Sequence, residues 1–97
     1  MPIDQSTVQA GWLYKTPNNQ ERVVLGCNAD CKVVYASRGG NVQNAFDHRE
    51  ASSLKRFAEA CSERVRQLSS DELQSIIQLC NASSVIVPGE TCCFAGN

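Results

Sequence analysis

The chain has 97 residues, 42% hydrophobic and 20% charged, with nine Lys and Arg against ten Asp and Glu for a net charge of −1. That composition argues against intrinsic disorder, collagen and coiled coil, and a mass of 10.6 kDa allows one hydrophobic core, so residues 1–97 are read as a single domain. The even charge balance argues against a polybasic nucleic-acid arm and an acidic nucleic-acid mimic.

Met1-Pro2-Ile3-Asp4-Gln5 has neither a basic run nor an apolar stretch, so no secretory signal is expected. No window approaches the ~20 apolar residues of a membrane span, and the expected address is the cytoplasm. Residues 1–10 are mostly polar and read as a loose lead-in.

Gly11-Trp12-Leu13-Tyr14-Lys15 reads as a short strand, and Thr16-Pro17-Asn18-Asn19-Gln20 as the loop after it. Glu21-Arg22-Val23-Val24-Leu25-Gly26-Cys27 predicts a second strand and residues 32–37 a third. Asn28-Ala29-Asp30 makes the compact turn between them, giving an antiparallel hairpin. On the third strand Val33, Tyr35 and Ser37 point one way, and Val34, Ala36 and Arg38 the other. Arg38-Gly39-Gly40-Asn41 then breaks the sheet; residues 42–46 are left open as a short further strand.

From residue 48 to 68 the apolar residues Leu54, Phe57, Ala58, Cys61, Val65 and Leu68 recur at helical steps, which predicts one amphipathic helix. Ser69 and Glu72 have the spacing of a capping box, opening a second helix with the stripe Leu73, Ile76, Ile77 and Cys80. Residues 84–88 read as a last strand or an extended segment, and residues 89–97 as a mobile tail. The predicted class is α+β: a small antiparallel sheet, the hairpin plus one or two further strands, covered by two consecutive amphipathic helices.

Six cysteines are present. A disulfide framework in so short a chain belongs to secreted proteins, so with no signal in view structural thiols are expected. Cys61 and Cys80 fall on apolar helix faces and are expected to be buried. Cys27 and Cys31 flank one turn and could chelate zinc together, with His48, Cys61 or Cys92-Cys93 completing four ligands. The spacing is longer than the common C-x2-C knuckle, so the expectation is no metal and no cofactor. A bridge across the hairpin is the third option. Cys92-Cys93 is read as an incidental feature of the tail.

His48, beside Asp47, has no partner in sequence that would make it a catalytic base, and the pair reads as a helix-capping region. The Arg38–Asn41 stretch lacks both the phosphate-loop and the dinucleotide pattern and reads as a turn. Trp12, Tyr14 and Tyr35 lie on expected strands, with Arg22, Lys32 and Arg38 nearby, and form the candidate binding set. On an open sheet face such rings stack bases while the cations track phosphates. Residues 11–41 carry four basic against two acidic residues, a slight excess, and aromatics in a small sheet are more often core.

The run Val23-Val24-Leu25-Gly26, then Val33-Val34-Tyr35-Ala36-Ser37-Arg38-Gly39-Gly40-Asn41-Val42, followed by a helix with Phe57, resembles short uncharacterised accessory proteins of phages, plasmids and integron cassettes. The resemblance spans residues 12–61 and has no diagnostic motif. It implies a small curved sheet with one or two helices and an accessory or regulatory role exercised by binding. It implies no activity, transfers no functional residue, and its pattern does not include the cysteines.

The functional expectation is a small non-enzymatic interaction module acting through a protein partner or as a homodimer. The alternatives are a nucleic-acid-binding regulator and a zinc-stabilised domain.

Overall fold

A computed structural model of the chain describes residues 3–39 and 45–86. After a short 3-10 turn at Gln5–Thr7 come β1 (Trp12–Lys15), β2 (Gln20–Cys27), β3 (Val33–Gly39) and β4 (Ala45–Ser52). Helix α1 (Leu54–Ala60), β5 (Glu63–Gln67) and α2 (Ser70–Leu79) follow. The five strands form one sheet in the order β4-β3-β2-β1-β5, and every neighbouring pair is antiparallel. The class is therefore α+β.

The hairpin closes through the Asn28 side chain, as the sequence suggested, but the left-handed residue of the turn is Cys31, not Asn28 or Asp30. Asn28 Oδ1 accepts the backbone N–H of Asp30 and of Lys32, at 2.9 and 3.1 Å. Cys31 takes the left-handed conformation the turn requires, with φ 62°. Strand register then sorts side chains to opposite faces. Tyr14, Val24, Val33 and Tyr35 join Val8, and Phe57 and Ala58 of α1, in one buried cluster. Leu13, Val23, Leu25, Val34 and Ala36 join Ile77, Cys80 and Ala82 in the other. The first five residues of β3 are buried without a break, which fits a strand enclosed on both sides.

Helix α1 begins at Ser53, whose side chain accepts the Arg56 N–H at 3.2 Å. Helix α2 begins with the expected capping box: Ser69 Oγ accepts the Glu72 N–H, and a Glu72 carboxylate oxygen accepts the Ser69 N–H, both at 3.2 Å. At its other end Arg49 of β4 donates to the carbonyls of Cys80 and Asn81, each at 3.0 Å. The Cys80 carbonyl, at the C-cap, is one that a helix terminus leaves without an intrahelical donor, and the Asn81 carbonyl follows it.

The chain departs from expectation mainly between residues 45 and 67. The single helix predicted over 48–68 is instead a strand, a seven-residue helix and another strand. His48 and Asp47 consequently lie on β4 and do not cap a helix, and the two helices are not consecutive because β5 separates them. Residues 84–86 do not form a strand. Val85 and Ile86 both donate to the Ala82 carbonyl in a turn, and their side chains lie against the second cluster. Val87, Pro88, the tail with Cys92-Cys93, and Gly40 through Asn44 lie outside the described residues.

The N-terminal segment is held at several points. Ile3 N–H donates to Ala58 O, Val8 is 2% exposed, and the Tyr14 hydroxyl both accepts from Gln9 N–H at 2.7 Å and donates to Thr7 O at 2.6 Å.

The α2 cap carries a pH dependence. The hydrogen bonds from Arg66 and the Ser69 backbone hold the Glu72 carboxyl down to about 2, from an ordinary 4.5. A depressed carboxyl stabilises the fold above its unfolded pKa, and that contribution is lost as pH falls toward the folded value. Helicity at α2 is expected to decline between about pH 4.5 and 2 by amide NMR. Glu72→Gln, which still caps but loses the charge, should flatten this profile. An unchanged profile in that variant would remove Glu72 as the cause.

Candidate binding cleft

The aromatic residues of the candidate set do not form an open platform. Tyr14 is 0% exposed and Tyr35 7%. Phe57 meets Tyr14 edge-on, with centroids 5.4 Å apart, and Tyr35 at a tilt, 5.1 Å apart. A ring buried in this way has no face to offer a base, and burial pushes both phenol groups above their ordinary pKa. Trp12 is half-buried with the Arg64 guanidinium 4.1 Å above its ring. Arg22 lies over Tyr35 at 4.8 Å, and its Nε donates to Gln20 Oε1 at 2.7 Å. Lys32 is exposed beside the hairpin turn, away from these rings.

Arg38 is placed differently. It stands on the face that also carries α2, and its guanidinium sits 4.8 Å above the ring of Phe46. Glu21, its register partner on β2, accepts from Arg38 Nε at 2.9 Å and from Nη2, both through a single oxygen. Phe46 holds φ 63°, a conformation that a bulky aromatic residue adopts only when its surroundings enforce it. Here the register against β3 slips between Ala36 and Arg38, so β4 carries extra residues across the step.

These features form one wall of a cavity of about 300 Å³ between α2 and the sheet. Leu13 and Val23 line its sheet side, Leu68 and Ile76 line it near and on α2, and Phe46 and Arg38 close the β4 side. Arg66 lies at the far rim and is committed: its two terminal nitrogens reach the two Glu72 oxygens at 3.2 and 3.0 Å. The arrangement offers apolar contact below and a guanidinium above. Sequence reasoning singled out Arg38 but not Phe46, Ser75 or Ile76 as its neighbours. Only the pairing of β4 with β3 brings these segments together.

Cys27 and Cys31 are both disulfide-bonded. A bridged sulfur is not a thiolate ligand, so in this state neither serves the zinc-stabilised alternative. Among the described residues no three His, Cys, Asp or Glu side chains group at metal-binding distance. Cys61 and Cys80 are buried free thiols, as expected. Burial raises the Cys61 thiol to about 11 and moves Cys80 upward too. Since the thiolate is the reactive form, iodoacetamide at pH 8 should modify neither in the native, unreduced protein. Both should react once the chain is unfolded without reductant, while Cys27 and Cys31 stay protected. Peptide mass mapping reads this, and rapid native labelling of Cys61 would contradict the packing described.

Compared with family models, with curated proteins and with solved structures, the chain matches none. No helix among the described residues is long and apolar enough to cross a membrane.

Proposed function

We propose that this protein is a non-enzymatic binding module that engages a partner protein through the cleft between α2 and the sheet. The observation that carries the reading is the cleft itself: an apolar floor, an aromatic wall held at positive φ, and a guanidinium at the rim. Its carboxylate, Glu72, is tied to Arg66 and to the helix cap, which is a structural employment rather than that of a general base. His48 is exposed on β4, outside the cleft. The helices complete the picture as covers for the two sheet faces, α1 through Phe57 and α2 through Ile77.

A partner of another kind is favoured over a homodimer built by joining strand edges. β5 has charged residues at Glu63, Arg64 and Arg66, and Val65 is an extra residue opposite β1. β4 carries Asp47, His48, Arg49 and Glu50 together with its own irregular register. Charges and bulges on edge strands discourage open-ended pairing. The nucleic-acid alternative has less support, since its two tyrosines are buried and offer no ring face for stacking. The resemblance to accessory proteins that act by binding agrees with the module reading. An address in the cytoplasm, expected from the sequence, stands against the bridged state of Cys27 and Cys31, because disulfides persist in oxidising surroundings.

The test places a photo-crosslinking amino acid at Ser75, an exposed α2 position on the cleft, in unreduced protein. The expected result is a hetero-adduct that a second variant, Ile76→Arg, suppresses. Adducts only between copies of this chain, or a partner unaffected by that change, would overturn the reading.

A further inference from the structure

Resting on the cleft reading, we infer that the occupant is the carboxyl-terminal residue of a partner chain, with a bulky apolar side chain on the floor and its α-carboxylate on Arg38. The volume comes first. About 300 Å³ holds about ten waters and sits at the small end of ligand clefts, so it suits one large side chain and not a helix. The charge comes second. Arg38 and Arg66 both face this space, yet they are not equally available.

Arg66 is held by both oxygens of Glu72, and Glu72 also closes the α2 capping box. Drawing Arg66 away would break two hydrogen bonds to a carboxylate that also serves the helix cap. Arg38 is held through one oxygen of Glu21, and Glu21 caps no helix. Exposed pairs of this kind are weak, so an incoming carboxylate displaces Glu21 at small expense. Glu21 already demonstrates what Arg38 accepts. The ring of Phe46 beneath the guanidinium keeps it oriented before anything binds, which lowers the ordering entropy lost on binding.

The need for both groups on one residue selects a chain end. Within this volume an internal aspartate supplies the charge without the apolar body, and an internal leucine the reverse. A carboxyl-terminal leucine or phenylalanine carries both. Capture of a terminal carboxylate is an established way of reading peptide ends, and a guanidinium is suited to it.

The probe is a Gly-Ser hexapeptide ending in leucine, as the free acid and as the amide, titrated into unreduced, isotopically labelled protein. The free acid should shift the amide signals of Phe46, Ser75 and Ile76, and should bind at least about tenfold more tightly than the amide. Arg38→Gln should bring the acid down to the level of the amide and leave the amide unchanged. Glu21→Gln, which removes the competing carboxylate, should tighten the acid by up to about fivefold. Retained signal dispersion in each variant shows that the fold survives. Equal binding of acid and amide, insensitivity to Arg38→Gln, weakening by Glu21→Gln, or no shifts at the cleft would each overturn the inference. So would equal affinity for N-acetyl-leucine, which would make the occupant a free small acid. If the peptides fail while the crosslinker at Ser75 still captures a partner, the cleft reading stands and this occupant falls; if both fail, both fall.

Discussion

Replacing Phe57 with alanine is expected to remove a large share of the protein's stability. The side chain is 0% exposed and is the common neighbour of Tyr14 and Tyr35, at 5.4 and 5.1 Å between ring centroids. Emptying such a position costs about 3–5 kcal/mol, against total stabilities of roughly 5–15 kcal/mol for a domain. The loss is concentrated because α1 has only seven residues, too short to persist without its packing. Its other buried residue, Ala58, contributes little area. The N-terminal segment should loosen as well, since Ile3 donates to the Ala58 carbonyl and Val8 shares the Phe57 cluster. Urea unfolding of unreduced protein, followed by far-ultraviolet circular dichroism, measures the effect. Phe57→Leu should lose about 1–2 kcal/mol, keeping most of the volume but losing the ring geometry. A Phe57→Ala midpoint close to that of the unmodified protein would mean that the aromatic cluster is not the anchor proposed.

Phe57 also marks where the sequence could be read and where it could not. The hairpin was legible because Asn28 and Asp30 lie between two β-branched runs, and α2 because Ser69 and Glu72 stand three residues apart before an apolar stripe. The helical spacing of Leu54, Phe57, Ala58 and Cys61 was real and belongs to α1 and its end. Its continuation through Val65 and Leu68 was coincidence. β5 is exposed at every position, so no face selects apolar residues and no alternation appears. β4 is similar: Asp47, His48, Arg49, Glu50 and Ala51 are all exposed. Edge strands of this type are specified by backbone pairing with β1 and β3, which no periodicity records. The Ser53 cap was an available local signal for a helix starting at Leu54, and β3 offered another in its uninterrupted buried run. The cleft was half legible. Arg38 stood out as a cation near a turn, but its platform Phe46 and the α2 wall depend on long-range pairing.

The second large effect is expected at Gly26, where β2 and β3 change register. Val24 faces Tyr35 and Gly26 faces Val34, so Leu25 is an extra residue on β2. Gly26 accommodates the step with φ 156°. An added Cβ would stand 2.6 Å from Ile86 Cγ2, far inside van der Waals contact. Ile86 cannot simply swing aside. It is β-branched, and its backbone N–H is held by the Ala82 carbonyl at 3.2 Å. Gly26→Ala is therefore expected to lose about 2–3 kcal/mol, combining overpacking with backbone strain. The two causes separate in a double-mutant cycle. Ile86→Ala alone should lose about 1 kcal/mol, because the side chain is only partly buried. Combined with Gly26→Ala it removes the clash and leaves the strain, so the double variant should be more stable than the sum of the single losses by about 1 kcal/mol. Additive losses would show that Ile86 does not press on the sheet at this point, and the turn after α2 would then have to be held by other contacts. A coupling of the expected sign would establish that the segment following α2 is fitted against the bulge of β2. In that case the glycine is present because the close approach of Ile86 leaves no room for a side chain.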